Sequence, residues 1–342
     1  MLAFFLKPFL IAFTVSTVLL LVFLSATQLI PWLKYRREQW FRFGGIAIML
    51  GFLAAFFLDG RVVLTLPLIG LLLGILVITG FGIWDDIFNL SWKAQVFFQS
   101  MLGTLLFLFG VRITFLTNPF GGVFSFSPDT TVMLGFVIGL VWLFLLMNAL
   151  NWLDGSDGLC GGVSIIAILT IFFLALKPEV NQPAFAIIAA SGAGAVGGFL
   201  LFNLPPARIF AGTTGSMFLG FLLAFLATAA GTKIATALLV LALPIADAMY
   251  VIMERLLSGK SVFEGDKRHL HHKLQRLGWS QKRITFVLLF FTGVVAIVAL
   301  QTRAESKLIA LAIVFFSAFF SSFLVAKRVE HTTTIQDAAG SL

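Results

Sequence analysis

Asp85 and Asp86 stand side by side at the end of an apolar run, with Lys93 and Gln99 following at +8 and +14 from Asp85. Such a pair either caps a helix at a membrane boundary or offers carboxylates to a proton or to Mg2+, a hard cation that takes oxygen ligands and is often completed by substrate phosphates. Farther along, Asn148, Asn151, Asp154 and Asp157 recur at i, i+3 spacing, in a segment that leads into Gly158, Gly161 and Gly162. On a helix this spacing lays two amides and two carboxylates along one face. Turns account for one or two of these residues; four in register suit a pocket for a nucleotide and a metal. Aspartates used in this way should serve ligands instead of packing, so their loss should spare the fold.

Two further segments carry chemistry. The stretch from Asn203 through Pro205, Pro206, Arg208 and Phe210 to Gly212-Thr213-Thr214-Gly215-Ser216 runs from one helix end to the start of the next. There, backbone N–H groups form a ready anion site, or the hydroxyls act as ordinary N-caps. Between Glu254 and Arg283 lies a basic loop containing Arg268, His269, His271 and His272, three of only four histidines in the chain. Its cations suit anionic headgroups. No further histidine lies in the other motif segments, so phosphate contact is preferred to zinc for the cluster.

The elements that must position these groups are membrane helices. Of 342 residues, 60% are hydrophobic and 11% charged, with 40 Phe and a mean hydropathy of +1.05. A soluble multidomain chain is excluded, and so is a porin-type barrel, whose strands alternate apolar and polar residues. The single cysteine, Cys160, can support neither a disulfide framework nor a thiolate zinc site. Ala3 to Gln28 is too long for a secretory signal and reads as a retained first span. Apolar runs then recur near Phe43–Leu58, Val62–Ile83, Gln95–Leu116, Val132–Leu150, Val163–Leu176, Ala184–Phe202, Met217–Ala230, Ile234–Met253, Ile284–Leu300 and Leu308–Ala326. The expectation is an all-α polytopic protein of about 10–11 transmembrane helices. Residues 1–330 make one domain and 331–342 a polar cytoplasmic tail.

Orientation follows from charge. If the loops after the odd-numbered spans share a side with the C-terminal tail, that side holds 16 of the 23 Lys and Arg residues. The positive-inside rule makes it cytoplasmic and puts the N-terminus outside. All four chemical segments then face the cytoplasm, at helix ends. A transporter would carry its ionisable groups near the midplane instead. The formal charge of +8 suits anionic lipid and an anionic substrate, and nucleic acid is not expected as a partner. Small residues in Ser191–Gly198 offer a helix-packing face, either within the monomer or in a homodimer.

In order and spacing, the four segments resemble the bacterial polyprenyl-phosphate N-acetylhexosamine-1-phosphate transferases, from Gly44-Gly45 to Leu277-Gly278. The ending Arg268-His269-Leu270-His271-His272 is more similar to the WecA and TagO branch than to the peptidoglycan branch MraY, which carries consecutive histidines. The resemblance implies a multi-pass protein of the bacterial cytoplasmic membrane. Its substrates would be polyprenyl phosphate and a UDP-N-acetylhexosamine, with Mg2+, or alternatively Mn2+, as cofactor. It further implies that Asp85 and Asp86 handle the metal and the lipid phosphate with Lys93 nearby, and that Asn148, Asn151, Asp154 and Asp157 line the nucleotide-sugar pocket. Asn203 would support that pocket and Phe210 stack on uracil. Arg268, His269, His271 and His272 would contact phosphate. Asp247, beside Pro244, matches a position where the helix bends to open a lipid groove.

Two departures qualify the match. Where the family carries Gly-Asp-x-Gly-Ser, with the Asp as a metal ligand, this chain has Gly212-Thr213-Thr214-Gly215-Ser216. Thr213 is left as the third expected metal ligand beside Asp85 and Asp86. The loop Lys34–Arg42 also lacks the usual Pro and His residues. The expected function is transfer of N-acetylhexosamine-1-phosphate with release of UMP. The alternatives are a catalytically impaired homologue that binds lipid phosphate or nucleotide, and a lipid-phosphate carrier.

Overall fold

The computed structural model describes residues 2–29, 42–117, 122–126, 131–229, 234–259, 268–302 and 304–340. Three sequence features fall outside them: most of the Lys34–Arg42 loop, the connector at 231–233, and Asp266 and Lys267 of the basic loop. Among the described residues there are thirteen helices: α1 (Leu2–Leu29), α2 (Gly44–Asp59), α3 (Leu66–Phe88), α4 (Trp92–Leu108), α5 (Val132–Leu153), α6 (Leu159–Ala175), α7 (Pro183–Asn203), α8 (Gly212–Ala229), α9 (Ile234–Val240), α10 (Ala242–Leu257), α11 (Leu270–Arg276), α12 (Gln281–Gln301) and α13 (Ala304–Gly340). A hairpin, β1 (Phe115–Thr117) and β2 (Val123–Ser125), pairs antiparallel with Leu116 opposite Phe124.

Every apolar run read from the sequence contains a helix, but not every helix is long enough to cross a bilayer alone. Seven helices are long and apolar enough, and the α9–α10 pair, bent by 73°, makes an eighth. At 16 to 17 residues, α2, α4 and α6 fall short of the roughly 20 that a hydrocarbon core requires. The run expected over Gln95–Leu116 is the largest correction. Helix α4 stops at Leu108, Gly110 turns with φ +85°, and Leu116 belongs to the hairpin. The expected polar tail after residue 330 continues the backbone of α13 as helix to Gly340.

Helix boundaries have local causes. Pro67 and Pro183 occupy the first turns of α3 and α7, where a missing N–H costs nothing. Ser91 and Ser280 cap α4 and α12 with their hydroxyls. Asn89 ends α3 in the left-handed conformation and donates its N–H to the carbonyl of Asp85.

Helix α8 is the axis of the bundle, with 89% of its apolar window buried, and it packs on α2, α3 and α5. Its start crosses α2 with backbones in contact. A Cβ on Gly45 would lie 2.2 Å from the nitrogen of Gly215, so only glycine fits. The nitrogens of Gly44 and Gly45 donate to the carbonyls of Phe210 and Ala211 at 3.0 and 2.9 Å, tying the start of α2 to the start of α8. The small-residue face of α7 is used inside the chain: a Cβ on Gly194 would meet the Phe9 carbonyl of α1 at 2.2 Å. That face is therefore covered by α1 and is not open to a second copy.

Candidate active site

The four segments meet at one end of the bundle, and the chain's own carboxylates lace them together. Asp86 at the end of α3 accepts from the Thr213 nitrogen at 2.7 Å, and from the Thr214 nitrogen and hydroxyl at 3.1 and 2.6 Å. Asp154, the C-cap of α5, accepts from the nitrogens of Ala211 and Gly212 at 3.2 and 2.7 Å. The anion site expected at the start of α8 is thus filled by Asp86 and Asp154 themselves. A carboxylate there neutralises orphan N–H groups and meets the positive end of the helix, and each charge-assisted bond contributes about 1.5–3 kcal/mol. The expectation that these aspartates would not serve packing is corrected: they hold the fold of the site as well as facing it.

Asp85 is engaged as fully as Asp86. One oxygen accepts from the Leu90 nitrogen and the Gln95 amide, and the other from the Thr213 hydroxyl at 2.6 Å. The metal-ligand position of the family pattern is occupied by a hydroxyl that donates to Asp85.

Beside this lacing lies an open cleft of about 490 Å3, lined by Arg42, Asp86, Asn151, Asp154, Gly155, Phe210, Gly212 and Thr213. Asn151 is steadied by the Ser216 hydroxyl at 2.8 Å. Desolvation pushes the Asp154 carboxyl up to about 8; the neighbouring Asp86 adds to this, while the Gly212 and Ala211 N–H groups and Arg42 oppose it.

Other expected site residues sit around the cleft as struts. Asp157 accepts from the Ala207 nitrogen at 3.0 Å. Asn203 accepts from Gly158 and donates to the Ile209 carbonyl, clamping the two loops together. Asn148 pairs with Gln99 between α5 and α4. Lys93 is exposed, its ammonium 5.8 Å from the Trp92 ring, and is not among the residues lining the cleft. Arg268 pairs with Glu254 at 3.5 Å.

The histidines are ordered individually. Asp247, six residues beyond the α9–α10 break, faces His269 Nδ1 at 3.0 Å and accepts from the Leu270 nitrogen at 2.9 Å. Trp152 stacks on the His269 ring at 5.4 Å. His271 is buried, its Nε2 has no partner among the described residues, and burial followed by the charge of His272 brings its pKa down to about 3. It is a neutral ring at physiological pH. The Nε2 atoms of His271 and His272 both lie 3.6 Å from where a Cβ on Gly155 would stand, so the histidine segment closes over the edge of the cleft.

Sequence reasoning missed Arg42, Gln95, Trp152 and Thr214. Arg42 could have been noticed as a cation just ahead of the Gly44-Gly45 pair, which the structure shows docked on Phe210 and Ala211.

The pattern described as Glycosyl transferase family 4 matches residues 68–231, which contain both aspartate segments and the start of α8. The decaprenyl-phosphate N-acetylglucosaminephosphotransferase of Mycobacterium leprae (strain TN) is 32% identical over 291 residues, covering 76% of this chain and 73% of the relative. The chain belongs to this family. Within glycosyl transferase family 4 it is also similar to the probable undecaprenyl-phosphate N-acetylglucosaminyl 1-phosphate transferase of Bacillus subtilis (strain 168), 28% identical over 83% of this chain and 79% of that one. The phospho-N-acetylmuramoyl-pentapeptide-transferase of Thermobifida fusca (strain YX) is 29% identical over 70% and 78%. The relatives are named as transferases, and the seven long apolar helices described above make this chain a multi-pass membrane protein.

Whether a cation fits can be judged from the donors. The described residues hold no group of three or more His, Cys, Asp or Glu side chains arranged about a metal. Asp86 and Asp154 both line the cleft, and each carboxylate, with about four acceptor positions, keeps some free after its backbone bonds. Two carboxylates with substrate phosphates and water suit Mg2+, which rarely takes an all-protein cage. Asp85, which accepts as many bonds as Asp86 but does not line the cleft, fits a supporting position better than a ligand position.

Proposed function

We propose that this chain transfers N-acetylhexosamine-1-phosphate from a UDP-sugar to polyprenyl phosphate and releases UMP, at the cytoplasmic face of a bacterial inner membrane. The relatives' own acceptor and sugar, polyprenyl phosphate and N-acetylglucosamine, are the first substrates to consider. The observation that carries the reading is the cleft itself, in which two carboxylates fixed by the start of α8 share a wall with Arg42 and Phe210.

In this reading an oxygen of the lipid phosphate attacks the sugar-bearing phosphorus. The bond from that phosphorus to the bridging oxygen breaks, and UMP leaves with that oxygen. A phosphate whose second pKa is about 6 is already largely dianionic at pH 7, so no side chain needs to remove a proton first. Asp86 and Asp154 would hold Mg2+, which when bound offsets the charge of the phosphates. Arg42 supplies a fixed positive charge at the rim, Phe210 a face for the uracil ring, and Asn151 a polar contact to the donor. Formation of a lipid-linked sugar diphosphate from purified protein, polyprenyl phosphate and UDP-N-acetylglucosamine, read by mass, is the direct test. A carrier would return the lipid phosphate unchanged.

Asp154 gives a pH prediction. With its carboxyl raised to about 8, a proton must leave before a cation binds, so the Mg2+ concentration for half-maximal rate should fall by roughly tenfold per pH unit from pH 6 to 8 and level off above. A flat profile would place the cation on other groups.

A second reading, binding without turnover, is favoured by Thr213, whose hydroxyl donates to Asp85 and brings no charge to offset a cation. Thr213→Asp tests it. The new carboxylate would face Asp85, so the variant should melt lower than wild type without Mg2+ and recover with it. The half-maximal Mg2+ concentration should drop about tenfold, or about 1.4 kcal/mol. An unchanged Mg2+ response would show that position 213 is not part of the cation site.

A further inference from the structure

A second cavity, of about 480 Å3, lies between α11 and the end of the apolar span of α13 and shares no lining residue with the cleft described above. We propose that it seats an anionic membrane phospholipid, with the phosphodiester between Arg276 and Arg328 and acyl chain against Leu324.

Position argues for lipid. The apolar span of α13 ends at Val329, so Arg328 stands at the membrane boundary, and Leu324, half exposed, lies one helical turn deeper on the same face. The opposing wall is α11 and the turn after it, with Leu274, Arg276 and Trp279. Trp279 is held flat by the guanidinium of Arg283 at 4.0 Å, which leaves an aromatic wall of the kind that sits at headgroup depth.

Charge argues for an anion. Two guanidiniums line the cavity, and Arg283 adds a third positive charge behind Trp279. A guanidinium pair over an apolar floor matches a phosphodiester carrying hydrocarbon; a free phosphate would leave the leucines wet, and a zwitterionic headgroup would bring its own cation. The position gives the lipid a consequence. The seven-residue helix α11 carries His271 and His272 toward Gly155 and Leu274 and Arg276 toward this cavity, so a headgroup seated here would brace the helix that closes over the cleft.

The full-length protein in detergent, titrated with phosphatidylglycerol and with phosphatidylcholine of the same chains and read by native mass spectrometry, tests the proposal. Wild type should bind phosphatidylglycerol roughly thirtyfold more tightly than the Arg276→Gln/Arg328→Gln variant, with phosphatidylcholine weak and equal in both. Both arginines are exposed, and equal lipid-free melting would show the variant folded. Leu324→Trp, which keeps both arginines and fills the acyl seat, should also lose phosphatidylglycerol. Equal binding of the two lipids by wild type, or undiminished binding by the arginine variant, overturns the proposal. So does displacement of phosphatidylglycerol by polyprenyl phosphate at matching concentrations, which would make the cavity an acceptor-substrate site.

Discussion

Asp154→Asn is expected to lower the transfer rate by about a thousandfold and the stability by about 2 kcal/mol. Both losses have one origin. Each carboxylate oxygen of Asp154 takes a backbone N–H, from Ala211 and from Gly212, so either orientation of an asparagine amide points an NH2 group at an N–H. A buried donor is left unmet, the start of α8 shifts, and the charge available to the cation is halved from the pair Asp86 and Asp154. UMP release and a detergent melt on the same preparation separate the two effects. A lower melting point with an undiminished rate would make Asp154 a strut only.

Gly212→Ala should cost more stability, about 3 kcal/mol or more, and lower the rate by more than about a hundredfold. Gly212 has φ +68°, a conformation that side chains resist. A Cβ there would lie 2.2 Å from the Arg42 carbonyl and 2.8 Å from both Asp86 oxygens. The substitution therefore strikes both Arg42 and Asp86 as well as the turn itself. Ala211→Gly, one residue earlier and free of any such clash, is the matched control, and a Gly212→Ala protein with the melting point and rate of wild type would contradict the geometry.

These effects also show what the sequence could and could not disclose. The long apolar runs became helices because unbroken hydrophobicity over a bilayer thickness leaves the backbone no other way to satisfy itself. The four polar segments could be seen as a group because charge is costly beside lipid and therefore informative. The i, i+3 stripe was only half right. It assumes a continuous helix, but α5 ends at Leu153 and the chain turns at Gly155–Gly158; Asn148 pairs with Gln99 on α4 and Asp157 is directed to a loop clamp, while Asn151 and Asp154 face the cleft. Lys93 lies away from the cleft lining because Asn89 turns the chain between α3 and α4. Arg42 lies before a helix, outside any periodic pattern. That the α8 start binds Asp86 and Asp154 in place of a substrate phosphate is a long-range fact, joining residues 58 to 128 positions apart, that no local spacing contains.

UMP release by the purified wild-type protein measures the central claim most directly. With Mg2+, UDP-N-acetylglucosamine and polyprenyl phosphate all present, UMP should appear in step with lipid-linked sugar, and leaving out polyprenyl phosphate or replacing Asp154 by Asn should stop it. No UMP from wild type or from Thr213→Asp, across several UDP-sugars and with the protein shown to be folded, would contradict the transferase account and leave a protein that binds these ligands without turning them over.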